Sequence, residues 1–168
     1  MSTGPLTVRV SLQIALSEPE ADCPAEDDFS VWVHAALEGA PKSRQRGGTV
    51  TVRLVSPEES TALNSGYRDK SGPTNVLAFP AVVSPVPEAF NEEPELGDLV
   101  VCLEVARSEA AEQRKTLERH LAHLTVHGSL HLLGYDHLDD VGAERMEDLE
   151  RCVLAGLGMP DPYGPTDL

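Results

Sequence analysis

The sequence predicts an α+β fold in which helices cover a small mixed β-sheet. Two kinds of periodicity occur along the chain: some segments place an apolar residue at every second position, and others at every third or fourth position. These segments follow one another without a strict strand–helix–strand alternation, which is typical of the α+β class. A chain of 168 residues is long enough for one core and short for two, so residues 1–168 are expected to form a single domain.

The first predicted strand and helix lie in the N-terminal quarter of the chain. Apolar and polar side chains alternate from Leu6 onward, as in a strand with one buried face. Prolines and acids then interrupt the pattern, which predicts an acidic loop over residues 18–28. Apolar residues at helical spacing follow Asp28, a predicted N-cap, and this helix is expected to end near Gly39.

A second strand and a second helix follow directly. The alternating segment that begins at Thr49 predicts the strand. Ser56 has the side chain of an N-cap, Pro57 suits the first helical position, and two acids complete the first turn. We expect this helix to end at about Asn64 or Gly66.

The second half of the chain begins with strands and continues as helix. Residues 74–80 form a short candidate strand, and residues 81–96 are rich in proline and glutamate without periodicity. We expect a mobile surface loop over residues 81–96. Residues 98–103 predict a buried strand, and the pattern is mostly helical from there to Gly156.

The charge of the chain is strongly negative, at −15, but it is unevenly distributed. Proteins that bind phosphate groups normally have a basic surface, so the net charge alone argues against a nucleic-acid partner. Residues 41–70, however, contain six basic and three acidic residues. The acids concentrate in residues 18–28, 88–98 and 136–150, either as solvated faces or as a surface for a partner.

The sequence shows neither a membrane span nor an export signal. No run approaches the roughly 20 apolar residues of a transmembrane helix. The N-terminus lacks a basic head followed by an apolar run. We therefore expect a cytoplasmic protein that does not enter a membrane.

The most informative feature is a row of histidines in the C-terminal half. His120, His123, His127 and His131 fall within about 80° of one helix face at about 100° per residue. His127 and His131 are four residues apart, so both rings can reach one metal ion from successive turns. A single helical histidine is more often on a wet or partly satisfied face, but this spaced set favours metal binding.

Gly134 and His137 complete the pattern. A glycine can end the helix in a left-handed conformation, which would return His137 toward His127 and His131. Three neutral imidazoles suit zinc and leave a fourth position open for water, as in catalytic rather than structural sites. The sequence therefore predicts a zincin-like site, with one Zn²⁺ per chain, on a long helix followed by a glycine turn.

The same histidine offsets occur in metzincin proteases, in which a catalytic glutamate follows the first histidine. Here that position is Gly128. Without the carboxylate, the usual general base for peptide hydrolysis is missing. The pattern therefore favours a metal site with the geometry of the metzincins but a reaction other than peptide hydrolysis. A zinc-dependent protease-like hydrolase is kept as an alternative.

Three blocks of sequence point to one family. Residues 127–137 read HGSLHLLGYDH, residues 63–80 contain LNSGYRDK and PTNVLAFP, and residues 96–99 read LGDL. Together these blocks resemble the YbeY family of bacterial metal-dependent endoribonucleases. The resemblance extends over residues 64–150, about half of the chain.

The resemblance implies an endoribonuclease of ribosomal RNA maturation in which His127, His131 and His137 hold zinc and Arg68 faces the metal. The chemistry agrees, because an RNA phosphodiester gathers negative charge in its transition state, and a guanidinium and a divalent cation stabilise that charge. The attacking group is either a water activated by zinc or the neighbouring ribose 2′-hydroxyl. The sequence does not name the general base.

Further residues near the three ligands are candidates for catalysis and positioning. His123 lies one turn before His127, either as an orienting or proton-carrying group or as a packing histidine. We expect Asp136 to orient a ligand histidine by hydrogen bonding, with turn capping as the alternative. Tyr135 and Asp98 are candidates to line the site.

The predicted RNA-binding residues are basic or polar. They are Arg44, Arg46, Arg68, Lys70, Thr74 and Asn75. Thr74 and Asn75 suit contacts with the sugar-phosphate chain, or else form a turn. Arg44 and Arg46 lie either on a phosphate path or in a solvated loop. Because aromatic residues make up only 4% of the chain, base stacking is a poor source of affinity, and ribosomal proteins are expected to position the RNA.

The leading prediction is a zinc endoribonuclease that cuts single-stranded RNA at the 3′ end of small-subunit ribosomal RNA and acts in ribosome quality control. Its predicted catalytic residues are Arg68, His123, His127 and Asp136. The alternatives are the protease-like hydrolase and a non-catalytic ribosome-assembly factor with a structural zinc. The oligomeric state and the roles of the two acidic loops are left open.

Overall fold

A computed structural model of the chain describes residues 7–17, 23–81 and 95–164. The strands within these residues are β1 (Val8–Ala15), β2 (Gly48–Val55), β3 (Val76–Pro80) and β4 (Glu95–Cys102). The helices are α1 (Glu26–Gly39), α2 (Pro57–Arg68), α3 (Leu103–Glu112), α4 (Leu117–Leu132) and α5 (Asp140–Gly156). The predicted α+β class is confirmed. No helix in these three ranges is long and apolar enough to cross a membrane.

The strands form one mixed sheet in the order β1-β2-β4-β3. Strands β1, β2 and β4 are parallel, with Leu12 beside Val52 and Val52 beside Leu99. Strand β3 is antiparallel to β4, with Ala78 beside Leu99, and forms one edge of the sheet. The small mixed sheet expected from the sequence is therefore present.

Apolar side chains cover both faces of the sheet. The larger core contains Phe29 and Leu99, both fully buried, and lies between the sheet and helices α1, α4 and α5. A smaller core on the opposite face contains Val55 and Leu77, and Leu63 of α2 packs against it. Each fully buried side chain of this kind contributes roughly 1.5–3 kcal/mol to stability, so the two cores fix the helices on either side of the sheet.

The start of α1 differs from the prediction. The helix begins at Glu26 and its N-cap is Ala25, so the predicted N-cap at Asp28 is wrong. Asp28 lies in the first turn, where its Oδ2 accepts a hydrogen bond from the Ala25 N–H at 2.9 Å. A carboxylate in the first turn also interacts favourably with the helix dipole, and this explains why the sequence signal lies three residues too late.

Helix α2 begins as predicted but ends later. The Ser56 hydroxyl accepts a hydrogen bond from the Glu59 N–H at 3.2 Å. The helix passes through Asn64 and ends at Arg68, and Asp69 follows in a left-handed conformation with φ of 55°. The predicted end at Asn64 or Gly66 is therefore too early. As a result, Arg68 stands on the last turn of a helix instead of in a loop.

Parts of both predicted acidic loops lie outside the described residues, namely residues 18–22 and 82–94. The described part of the first loop includes the opening turn of α1. The described end of the second loop, at Glu95 and Leu96, already belongs to β4. The strand thus begins three residues before the predicted start at Asp98.

Helix α4 carries the histidine row and packs closely on the sheet. The Thr116 hydroxyl caps its start by accepting a hydrogen bond from the Arg119 N–H at 3.1 Å. A Cβ at Gly128 would lie 2.8 Å from Leu99 Cδ2, so the absence of a side chain permits the close approach. After the helix, Gly134 is left-handed as predicted, with φ of 95°, and turns the chain back.

Candidate metal centre

Three histidines from two segments meet beside strand β3. His127 and His131 project from successive turns of α4, and His137 follows the turn at Gly134. One ring nitrogen of each lies within 4.8 Å of the others, and the Nε2 atoms of His127 and His131 are 3.1 Å apart. Two nitrogens on one tetrahedral zinc ion at 2.0–2.1 Å would be about 3.4 Å apart. The cluster therefore has the dimensions of a metal site.

The second ring nitrogen of each α4 ligand is held by an acceptor. The His127 Nδ1–H donates to Glu150 Oε1 at 2.5 Å, and the His131 Nδ1–H donates to the Tyr135 C=O at 2.8 Å. Because these protons are on Nδ1, both Nε2 atoms carry lone pairs. Two lone pairs that face each other repel unless a cation lies between them, so the arrangement fits a metal ion.

A divalent cation suits this cluster better than a proton does. Burial, followed by the charge of His127, lowers the pKa of His131 to about 4. The His131 ring is therefore neutral near neutral pH, and the neutral imidazole is the form that binds metals. Three imidazole donors fit Zn²⁺ or a similar borderline cation, whereas Mg²⁺ and Ca²⁺ prefer oxygen ligands.

Glu150 of α5 lies fully buried against the histidine row. Its Oε1 accepts the hydrogen bond from His127, and its Oε2 accepts one from the Tyr163 hydroxyl at 2.5 Å. The Nε2 atom of His123 is 3.7 Å away. Burial alone would raise the pKa of Glu150, but the nearby His123 ring and the hydrogen bonds from His127 and Tyr163 lower it to about 2. The charged carboxylate holds the tautomer and orientation of His127.

Sequence reasoning missed Glu150, although a signal was present. Met146, Val153 and Leu154 form the buried face of α5, and Glu150 stands on the same face. A carboxylate at an apolar position of an amphipathic helix needs a hydrogen-bonding partner. Tyr163, which follows α5 outside any periodic segment, carries no comparable signal.

The three histidines open onto a groove of about 430 Å³, called here the metal groove. Other residues that line it are Arg68, Thr74, Asn75, Gly128, Tyr135 and Asp136. Arg68 reaches the groove from the last turn of α2, and its charge acts on His131. A guanidinium and a candidate cation site thus face the same space, as stabilisation of a phosphodiester transition state requires.

Two polar residues of the metal groove are held by other parts of the chain. The Asn75 amide donates to Glu109 Oε1 at 3.0 Å, and its Oδ1 accepts from the Val76 N–H at 2.6 Å, as the turn-forming alternative expects. The Ser60 hydroxyl bonds both the N–H and the C=O of Thr74, each at 3.0 Å. The backbone of Thr74 is therefore fixed while its side chain lines the groove.

Three other predicted RNA-binding cations do not line the metal groove. The Arg46 guanidinium donates to the Leu132 C=O at 2.6 Å and satisfies a carbonyl at the end of α4. The Arg44 guanidinium lies over the Tyr135 ring, 4.9 Å from its centroid. Lys70 is exposed beyond the end of α2. Arg44 and Arg46 therefore support the C-terminal end of α4, the helix that carries the histidine row.

The two aspartates are placed differently from each other. Asp136 Oδ1 accepts a hydrogen bond from the Leu138 N–H at 3.2 Å, so Asp136 caps the turn that carries His137. Asp98 lies in β4, next to Leu99, whose side chain contacts α4. Because successive side chains of a strand point to opposite faces, Asp98 faces away from α4 and the metal groove.

The N-terminal half of the histidine row makes different contacts. His120 is buried, and its Nε2 lies 2.9 Å from Glu109 Oε1. The Nε2 of His123 lies 3.3 Å from the Tyr163 hydroxyl and 3.7 Å from Glu150. These rings contact protein acceptors, and the candidate metal cluster found among the described residues consists of His127, His131 and His137.

Comparisons with known proteins agree with the geometry. A family model described as Endoribonuclease YbeY matches residues 14–158. The chain is 49% identical to Endoribonuclease YbeY of Xanthomonas oryzae pv. oryzae, covering 97% of this chain and 98% of that protein. It is 54% identical to Endoribonuclease YbeY of Stutzerimonas stutzeri, with 83% of each covered. A solution structure from Thermotoga maritima is similar in fold, with a TM-score of 0.51, 24% identity, and coverage of 92% of this chain and 99% of that one.

Proposed function

The chain belongs to the YbeY family of endoribonucleases, and on that premise we propose that it cleaves single-stranded RNA in the metal groove. His127, His131 and His137 would hold one divalent cation, and Arg68 would bind the scissile phosphate. The observation that carries this proposal is the convergence of three imidazoles and one guanidinium on a single groove.

The protein groups have separate tasks in this reaction. Glu150 and the Tyr135 C=O hold the rings of His127 and His131 so that their Nε2 atoms remain free to bind the cation. The cation, when bound, acts as a Lewis acid toward the phosphate. Arg68 donates charge-assisted hydrogen bonds to phosphate oxygens, whose negative charge grows toward the transition state.

We assign zinc as the cation. Catalytic zinc sites commonly have three protein ligands, and three imidazoles are one of the ligand sets that they use. Each α4 ligand has the partner on its second nitrogen that such sites usually provide, a carboxylate for His127 and a carbonyl for His131. A structural site would be expected to have four protein ligands, so the three-histidine cluster favours a catalytic role.

The proposed substrate is precursor ribosomal RNA, cut near the 3′ end of the small-subunit RNA, with a further role in ribosome quality control in the cytoplasm. Family membership supports this choice. A net charge of −15 opposes free association with RNA, so we expect ribosomal proteins to position the substrate. We also propose that residues 1–168 form a single domain, since α1, α4 and α5 share one core.

A protease-like reaction is less well supported. Gly128 occupies the position of the metzincin glutamate, and a Cβ there would lie 2.8 Å from Leu99 Cδ2. The site thus lacks that carboxylate, and a side chain at position 128 would require Leu99 to move. A non-catalytic assembly factor with structural zinc would make Arg68 dispensable, and this separates it from the nuclease.

Metal content and RNA cleavage by the Arg68→Gln variant test the proposal. We expect about one zinc ion per chain in the wild type and the variant, with cleavage of a single-stranded ribosomal RNA fragment slowed about 100- to 1000-fold in the variant. Arg145→Gln, which removes an exposed arginine from α5, is the charge-matched control and should cleave normally. Full cleavage by Arg68→Gln would contradict the role of Arg68. Bound zinc with peptide cleavage alone would favour the protease, and bound zinc with neither activity would favour the assembly factor.

A further inference from the structure

A second cavity, of about 580 Å³, lies at the N-terminal end of α4. The connection between α3 and α4 forms one wall, and the segment that follows α5 forms another. Arg114, Lys115 and Arg119 line it, and it is called here the basic cavity. Asn75 lines both the basic cavity and the metal groove, so the two spaces are adjacent.

The three cations of the basic cavity form no direct ion pair with an acid within residues 7–17, 23–81 and 95–164. Their side chains make no hydrogen bond or ion pair there. Burial, followed by the charge of Arg119, lowers the pKa of the Lys115 amine, and the nearby charge of Glu109 offsets this only in part. An anion bound in the cavity would compensate this local repulsion.

The acids that line the basic cavity are already engaged by other groups. Glu109 accepts hydrogen bonds from the His120 ring and from the Asn75 amide. Asp161 forms an ion pair with Arg151. Neither carboxylate forms an ion pair with the three cations, so three positive charges face two engaged acids and the cavity offers positive charge to a ligand.

We propose that the basic cavity is a second RNA subsite, which binds backbone phosphates a few nucleotides away from the phosphate that is cleaved. This inference rests on the proposed nuclease function, since a strand in the metal groove can continue past Asn75 into the cavity. Arg119 and His127 are eight residues apart on α4, or about 12 Å at ~1.5 Å per residue. A stacked single strand with the duplex rise of about 3.4 Å per nucleotide covers this distance in three or four nucleotides, and a more extended strand covers it in fewer.

Phosphate is a better occupant than a nucleobase. Lysine and arginine side chains are the usual protein contacts to phosphate oxygens, and such contacts place a strand without reading its sequence. The tyrosine that lines the basic cavity, Tyr163, packs edge-on against His123 and donates its hydroxyl to Glu150. The basic cavity therefore adds affinity and strand placement, and does not add sequence preference.

The test compares the double variant Lys115→Gln/Arg119→Gln with the control Lys42→Gln/Arg145→Gln, which removes two exposed cations from outside both cavities. Binding is measured as a function of KCl concentration with a twelve-nucleotide, 2′-O-methylated single strand whose integrity is checked on a gel. The cavity variant should bind about fivefold or more weakly, and its salt slope should fall by about 1.4, or roughly 0.7 for each lost phosphate contact. The control should match the wild type, and all proteins should keep their zinc.

Cleavage measurements separate this inference from the proposed function. With a twelve-nucleotide RNA, the cavity variant should show a raised KM and an unchanged kcat, whereas a dinucleotide, whose single phosphate occupies the metal groove, should be cut as by the wild type. A wild type that cuts RNA, together with a cavity variant of unchanged affinity and salt slope, would overturn the subsite alone. A wild type that cuts no RNA, together with the expected loss of binding in the variant, would overturn the nuclease and keep the subsite.

Discussion

The two halves of the histidine row on α4 share one helix face but differ in which ring nitrogen is engaged. In the C-terminal half, acceptors hold the Nδ1 atoms of His127 and His131, and the Nε2 atoms converge. In the N-terminal half, the Nε2 atoms of His120 and His123 face Glu109 and a tyrosine hydroxyl, and their buried Nδ1 atoms have no partner among the described residues. Spacing on a helix brings imidazoles together, but the acceptors on neighbouring elements decide which of them can be ligands.

Removal of one ring from each half gives the largest expected contrast. His131→Ala should reduce the zinc content from about one ion per chain to none measurable and abolish RNA cleavage, because two imidazoles cannot retain the ion. His120→Gln should keep the zinc ion and the RNA cleavage activity, since the side chain of His120 contacts Glu109. Mass spectrometry of the purified proteins and a cleavage assay provide the measurements. Loss of zinc in His120→Gln would show that the two halves are not independent.

The glutamates behind the two halves offer a sharper comparison. Glu150→Gln keeps the size of the side chain but removes the charged acceptor of His127, so zinc affinity should fall about 10- to 100-fold. Glu109→Gln makes the matching change beside His120 and should leave zinc affinity unchanged. Competition with a chelator of known affinity measures both. Equal affinities for the two variants would contradict the role assigned to Glu150.

The contact of α4 with the sheet can be altered without touching a histidine. Gly128→Ala would place a Cβ 2.8 Å from Leu99 Cδ2, and we expect a loss of about 1–3 kcal/mol in the free energy of unfolding together with weaker zinc binding. Gly156→Ala in α5 meets no atom within 4 Å and should be neutral or stabilising by up to about 1 kcal/mol. Denaturant unfolding monitored by circular dichroism distinguishes them. A neutral Gly128→Ala would mean that α4 has room to move away from the sheet.

Removal of the Tyr163 hydroxyl should have the smallest effect on stability and zinc binding. It donates to Glu150, and burial, followed by the hydrogen bond to Glu150, raises the pKa of Tyr163, so the proton stays on the phenol. Tyr163→Phe should lower the free energy of unfolding by about 1 kcal/mol and weaken zinc binding only a few-fold. Tyr67→Phe, at an exposed tyrosine, is the control and should change neither quantity. If Tyr163→Phe weakened zinc binding as much as Glu150→Gln, the hydroxyl and not the carboxylate would be the main determinant of zinc affinity.

The three candidate metal ligands could be proposed from the sequence because the pattern is local. The spacing of His127 and His131 depends only on the helical repeat, and the return of His137 depends on a left-handed glycine that immediately follows the helix. Strand alternation and the Ser56 cap were equally local and gave correct elements. The N-cap of α1 was misplaced because Asp28 suits both the cap and the first turn.

The remaining features depend on residues that are distant in sequence. Glu150 is 23 residues from His127, and Arg46 is 86 residues from the Leu132 carbonyl that it satisfies. No local period records such pairs, because packing of α5 and of the segment before β2 against α4 creates them. The sequence by itself determined which imidazoles share a helix face. Only the tertiary structure decided which of their nitrogens are engaged by protein acceptors, since that choice depends on carboxylates and carbonyls supplied by other parts of the fold.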